Sequence, residues 1–273
     1  MSHIAITISA PSEIKDILIA QLADVGYEGF EEAGEQLIAY IPAEQFDENI
    51  ITGMLGSHGL DYTKETIEQA NWNAVWESNF QPVLVGSFCG IRAGFHDSLQ
   101  GQVEHEIVIT PKMSFGTGHH ATTYSVIRLM EETDFRDKRV FDFGTGTGIL
   151  AILADKLGAA QADAIDNDSW AVDNALENAE TNHAAVRIWK EDQLDTLEAG
   201  SYDVVLANIN RNILLANMKN MKRILKNHGI LILSGILQED EPAIVKAAGE
   251  NGLALDKKAE KEHWLALSFK AHS

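Results

Sequence analysis

Residues 139–151 read RVFDFGTGTGILA, and the reading of this stretch decides the fold. A strand-like run, RVFDF, meets glycines at alternate positions, Gly144, Gly146 and Gly148, and an apolar helical pattern comes next. Glycine lets a backbone turn sharply and approach a ligand with no Cβ in the way. A dinucleotide fingerprint, G-x-G-x-x-G, would place its third glycine at 149, where Ile149 stands, and no G-K pair of a Walker loop is present. No basic side chain lies between Asp142 and Ala154, and Asp142 would repel a pyrophosphate. A cationic or zwitterionic nucleoside suits the loop better. The alternative, a tight connection with no ligand, leaves three alternate glycines without a purpose.

Around this stretch the pattern is regular. QADAID, AVRIWK, YDVVLAN and GILILSG are strand-like and alternate with helical stretches such as ILAILADKLGA and WAVDNALENAETN. That alternation predicts a parallel sheet with right-handed crossovers. After a last helix near EPAIVKAAGENG, LALDKKAE and EHWLALSFK form two extended runs, an expected antiparallel pair at one edge. Upstream, VLVGSFCGIRAG and EHEIVITP are extended, and a helix runs from about Thr122 to Glu132.

The first 68 residues have a different rhythm. HIAITIS, a helix from Pro11 to Gly26, YEGFEE, QLIAYIP, a helix over AEQFDENIITGMLGSHG and a strand LDYTKETIE give the order β-α-β-β-α-β of a ferredoxin-like unit. Residues 69–81 predict a short linker helix with Trp72 and Trp76 on one face as packing anchors.

Of the 273 residues, 45% are hydrophobic, as in an ordinary globular core, and the formal charge is −20. Residues 1–68 hold thirteen acids against Lys15 and Lys64, a net of −11. Such a surface repels phosphate backbones, so direct nucleic-acid binding is not expected. Either a basic partner or simple solvation accounts for it. No apolar run has the length of a membrane span, no signal peptide is apparent, and the single Cys89 excludes an internal disulfide. A cytoplasmic monomer without a metal site is the expectation.

Candidate site residues sit at strand ends. Asp166, twenty-two residues past Gly144, ends the second strand, where a carboxylate can accept both hydroxyls of a ribose. Asn167 and Asp168 are suited to cap the next helix. Asp192 could receive an adenine amine or be an idle loop carboxylate. Asn208 ends a central strand; its amide, donor and acceptor together, could orient an amine or a cofactor carboxylate, or simply hold a turn.

Together FDFGTGTGILAI, AIDND and DVVLANI resemble the class I S-adenosylmethionine methyltransferases. The upstream SFGTGHHATT at 114–123, with W-N-x-x-W-E, L-x-A-N-I and L-I-L-S-G-I-L, is similar to the ribosomal protein L11 methyltransferase family over essentially the whole chain. The resemblance implies a Rossmann-like, mostly parallel seven-stranded sheet at 82–273, with the 1–68 unit recognising a basic ribosomal protein. It implies that Thr123, Gly144, Gly146, Asp166 and Asn208 contact S-adenosylmethionine, with Asn208 and His120 at the reacting end. The upstream G-T-G turn would close over the cofactor while the second cradles its methionine end.

His119 stands where the family has Thr, Ala121 where it has Pro, and Lys226-Asn227-His228-Gly229 where it has K-P-G-G. The adjacent His119 and His120 also invite a metal or general-base reading, but neighbouring histidines rarely face one site. The implied reaction is attack of an uncharged lysine or N-terminal amine on the sulfonium methyl. The N-P-P-Y motif of enzymes acting on planar amides is absent, and Asn208-Ile209-Asn210 is more open. A small-molecule or nucleic-acid methyltransferase, or a non-catalytic cofactor-binding module, is the alternative.

Overall fold

The computed structural model describes residues 3–33, 36–67, 81–110 and 120–272. Trp72, Trp76 and the upstream glycine turn with His119 lie outside the described residues. The chain divides into two compact units, Met1–Phe80 and Gln81–Ser273.

The first unit runs β1 (His3–Ser9), α1 (Ser12–Asp24), β2 (Gly29–Ala33), β3 (Gln36–Pro42), α2 (Glu48–Ser57) and β4 (Tyr62–Ile67). Its antiparallel sheet has the order β2-β3-β1-β4, the arrangement of a ferredoxin-like unit. Alternate residues of β1 and β3, among them Ile6, Ile8, Leu37 and Ile41, bury against Leu18 and Leu22 of α1 and Ile51 and Leu55 of α2. One boundary differs from the sequence expectation. The stretch after Pro42 makes a short 3₁₀ turn at Ala43–Gln45, and α2 starts only at Glu48. Asp47 supplies the reason: its carboxylate accepts from Asn49 N at 2.8 Å and from Ile50 N, an N-cap that starts the helix there.

The second unit begins with a three-stranded sheet, β5 (Val83–Val85), β6 (Cys89–Ala93) and β7 (His105–Ile109), succeeded by α3 (Ala121–Glu131). The main layer comprises β8 (Arg139–Phe143), α4 (Ile149–Lys156), β9 (Gln161–Asp166), α5 (Ser169–Thr181), β10 (Val186–Lys190), β11 (Tyr202–Asn208), α6 (Arg211–Ile224), β12 (Leu225–Leu237), α7 (Glu241–Glu250), β13 (Leu253–Lys261) and β14 (Trp264–Ala271). These strands form a seven-stranded sheet of order β10-β9-β8-β11-β12-β14-β13. The first five are parallel, while β14 inserts antiparallel between β12 and β13. Strand order reverses between β8 and β11, which opens a crevice beyond their carboxyl ends.

The core of this layer is apolar, with Phe141, Val205, Leu231, Leu267 and Phe269 inaccessible to water. A polar stripe on α5 joins the layer to the small sheet. Asn178 Oδ1 accepts from Thr110 N at 2.8 Å, and Asn182 pairs with both backbone groups of Val108. Asn178 also donates to Thr147 O at 2.8 Å, so one helix face secures the glycine turn as well as β7. At the start of β12 the register jumps from Tyr202↔Leu225 to Val204↔Ile230, and Lys226–Gly229 are accommodated as an irregularity with His228 at φ 62°.

Candidate functional site

Phe143 and Asn208 end two neighbouring strands on either side of the strand-order reversal, and the site is built on the loops that leave them. After β8 the chain turns through Gly144, Gly146 and Gly148, with φ of 74°, 56° and 82°. Gly144 N and Thr145 N both donate to Ile165 O at 2.9 Å, which folds the turn over the end of β9. A side chain at Gly144 would be strained by the left-handed backbone and would also collide with Ile209.

Asp166 takes part in the same turn. Its Oδ2 accepts from Gly146 N at 2.9 Å and its Oδ1 from Asp168 N at 3.0 Å. A carboxylate has about four lone-pair sites, so each oxygen keeps capacity for one more donor, such as a ribose hydroxyl. Asp168 caps α5 by accepting from Trp170 N, as its position after the strand predicts. Asp192 is exposed in the loop after β10.

Beneath the turn lies Asp142, 1% exposed, whose Oδ2 accepts from the Thr145 hydroxyl at 2.6 Å. Burial pushes its carboxyl from 3.8 up to about 7; the Thr145 bond and the Ala151 backbone oppose this, and the Asp166 charge adds to it. An anionic ligand is ill-suited here, whereas a ligand bearing a sulfonium and an ammonium offers the positive charge these two carboxylates lack. The residues present therefore fit S-adenosylmethionine.

On the other side of the crevice, Asn208 Nδ2 donates to Thr123 Oγ1 at 3.3 Å. Thr123 lies in the first turn of α3, which His120 caps: its Nδ1 lies 3.3 Å from Thr122 N and 2.8 Å from Thr122 Oγ1. Asn208 is thus joined to Thr123 in the helix turn that His120 caps, and Asp166 to Gly146 in the turn that opens at Gly144.

Trp264 is a neighbour that the strand-like reading of EHWLALSFK does not single out. Its ring meets that of His120 edge-on, with centroids 4.6 Å apart. It reaches this place because β14 pairs with the carboxyl end of β12, Trp264 opposite Leu237, after a two-residue turn with Glu262 and His263 both left-handed. Beside it, Lys261 Nζ stands 4.1 Å from the centre of the Tyr124 ring. An open depression of about 640 Å³, lined by Gly200, Lys222, Arg223 and Lys226, lies at the opposite, amino-terminal edge of the sheet and contains none of these residues.

The family model described as ribosomal protein L11 methyltransferase (PrmA) matches residues 4–272. Proteins of that name from Bacteroides thetaiotaomicron and Porphyromonas gingivalis are 39% and 40% identical to it. The first alignment covers 94% of each chain, and the second 93% of this chain and 90% of its relative. The crystal structure of a ribosomal protein L11 methylase from Lactobacillus delbrueckii subsp. bulgaricus superposes with a TM-score of 0.65 at 28% identity, covering 71% of this chain and 99% of the other. A methyltransferase from Pyrococcus furiosus, at 17% identity and a TM-score of 0.53, shares the fold. With the match running through both units and every motif around the crevice, the chain belongs to the ribosomal protein L11 methyltransferase family of S-adenosylmethionine-dependent enzymes.

Proposed function

We propose that the protein methylates amine nitrogens, lysine side chains and the N-terminal amine, of a ribosomal protein of the L11 type. The carrying observation is the family match over residues 4–272, and the Asn208–Thr123 and Asp166–Gly146 bonds beside the strand-order reversal support it. Thr123, Gly144, Gly146, Asp166 and Asn208 hold the cofactor, which when bound supplies a methyl group on a positively charged sulfur.

In this reading Asn208 orients the reacting end, and His120 serves the acceptor side. An ammonium has no lone pair, so the acceptor must enter uncharged, although a lysine in water has a pKa of about 10.4. Burial near a positive centre lowers that value. Alignment and exclusion of water then supply much of the rate, with no dedicated base required. The Asn208-Ile209-Asn210 mouth has no proline pair to shape it around a planar group, which suits a flexible lysine and successive transfers.

Residues 1–68 act as the recognition domain, 69–81 as a linker and 82–273 as the methyltransferase domain. The net charge of −11 on the first of these favours a basic protein acceptor over nucleic acid. The protein works as a cytoplasmic monomer in this reading. Among the described residues, no helix is long and apolar enough to cross a membrane.

The test incubates the protein with methyl-labelled S-adenosylmethionine and ribosomal proteins from cells lacking the activity, then locates label by mass spectrometry. Label on one L11-type protein, at lysines or its terminal amine and lost in Asp166→Ala, is expected. Label confined to another acceptor, or none despite cofactor binding, would overturn the reading.

A further inference from the structure

Ile209 stands between two glycines from distant parts of the chain. A Cβ built on Gly144 would lie 2.3 Å from Ile209 Cγ2, so the isoleucine side chain rests directly on the glycine turn. A Cβ built on Gly235 would lie 2.1 Å from the carbonyl oxygen of Ile209 and 2.6 Å from its carbonyl carbon. Gly235 has φ 88°, and the β12–β14 register shifts between Ser234 and Ile236, so it occupies a bulge. The peptide before this contact is held too: Ile209 N donates to Ser234 O at 3.2 Å, and Asn208 pairs with Ser234.

We propose that Ile209 and Gly235 are positioning residues for the crevice: Gly235, having no side chain, seats the Ile209 peptide, and the Ile209 side chain braces the Gly144 turn. The turn on β8 and the Asn208 amide on β11 then keep one spacing, because a single residue is wedged against both. This deepens the function proposed above and rests on the Gly144 turn being the cofactor loop. It also gives a purpose to the glycine of L-I-L-S-G-I-L, whose neighbour Ser234 is buried and spends its hydroxyl on Leu265 O at 2.7 Å.

The two contacts differ in kind, and that makes them separable. Gly144 faces the isoleucine side chain, whereas Gly235 faces its backbone. Truncating Ile209 to alanine therefore relieves a Gly144→Ala substitution, while Ile209→Val, which keeps the Cγ2 branch, does not. Neither relieves Gly235→Ala.

The measurement is the dissociation constant for S-adenosylmethionine by calorimetry, with thermal unfolding of each variant as the check on folding. Gly144→Ala is expected to weaken binding by roughly tenfold or more, and adding Ile209→Ala to recover about threefold. Recovery is incomplete because alanine remains strained at φ 74°. Gly235→Ala is expected to weaken binding to a similar degree, with no recovery from Ile209→Ala. Ile209→Ala alone should weaken binding several-fold, and Ile209→Val should bind as the parent does; this pair decides the matter even if Gly235→Ala does not fold.

Equal binding by Gly144→Ala/Ile209→Ala and Gly144→Ala/Ile209→Val would overturn the brace. So would parental affinity in Ile209→Ala or in folded Gly235→Ala. Failure of the unsubstituted protein to bind S-adenosylmethionine would instead overturn the cofactor reading, and the proposal with it.

Discussion

The Asn208 side chain donates to the Thr123 hydroxyl across 85 residues of sequence, at 3.3 Å. The bond joins the end of a central strand to the first turn of α3 and fixes which way the amide faces. Replacing Asn208 by Leu keeps the size but removes both the donor and the acceptor, whereas Asp would accept from the Thr123 hydroxyl and keep a bond. Cofactor affinity is expected to fall by about tenfold in Asn208→Leu, the effect of one lost hydrogen bond of roughly 1.4 kcal/mol. Calorimetric titration of Asn208→Leu beside Thr123→Val checks this. If the bond is the cause, both variants weaken binding; an effect confined to Asn208→Leu would point to a contact of the amide with the cofactor itself.

Asp166 holds Gly146 N and Asp168 N with separate oxygens. Asp166→Ala removes both acceptors and the charge, so the turn loses its support and the ribose its partner. Hydrogen bonds to a charged group contribute about 1.5–3 kcal/mol each, and loss of even one costs roughly tenfold to a hundredfold in affinity. Asp166→Asn, which retains one acceptor oxygen, should fall between alanine and the parent. Identical losses in the two variants would exclude the graded mechanism.

The Asp142 carboxyl is pushed up to about 7 by burial, above its unfolded value of about 3.9. Between those values the folded protein binds more protons than the unfolded chain. The contribution of Asp142 to stability is therefore complete below about pH 3.9 and is lost as pH rises through about 7. A cationic ligand favours the carboxylate, so binding S-adenosylmethionine below pH 7 releases a proton and tightens as pH rises. Calorimetry in two buffers of different ionisation enthalpy measures that proton. Asp142→Asn should abolish the release, and an undiminished release would assign it to another group.

Trp264 and His120 meet edge-on, a contact worth about 0.5–1.5 kcal/mol beyond area burial. A double-mutant cycle of His120→Ala and Trp264→Ala by denaturant unfolding should return a coupling energy in that range. Strict additivity would mean that the rings touch without stabilising one another.

Away from the crevice, Asp163 is fully buried and takes two bonds from the Arg187 guanidinium, at 2.6 and 2.7 Å, one from Tyr202 Oη at 2.9 Å and one from Gln161 Nε2 at 2.6 Å. Arg187 is two-thirds exposed, and Gln161 and Tyr202 still bond to the carboxylate without it, so Arg187→Ala costs about 1 kcal/mol. Asp163→Asn, which turns one acceptor oxygen into a buried donor facing donors, should cost more. Urea midpoints decide the order, and a smaller loss in Asp163→Asn would reverse the argument.

Legibility in the sequence tracks the range of the interaction. The alternation from RVFDF to GILILSG announces a parallel sheet because strand and helix periodicities are local, and the three glycines mark the turn because a left-handed backbone is itself a local demand. Asp168 as a helix cap is readable for the same reason. The start of α2 is not, because Asp47 lies inside a run that reads as helical throughout, and its capping bonds interrupt it. The Asn178 and Asn182 ladder to β7 is not legible either, since asparagines four apart on a helix do not name a partner some 70 residues away.

The amino-acid sequence by itself determined the class of fold, the glycine turn and the strand-end positions of Asp166 and Asn208, since each arises from backbone preferences within a few residues. Tertiary structure alone decided that Trp264 lies against His120, that Asn208 reaches Thr123, and that Ile209 is held between Gly144 and Gly235. These contacts depend on strand order, above all on β14 entering antiparallel beside β12 and on the reversal between β8 and β11. Strand order is set by how the whole set of apolar faces packs together, and no single stretch of sequence carries that information.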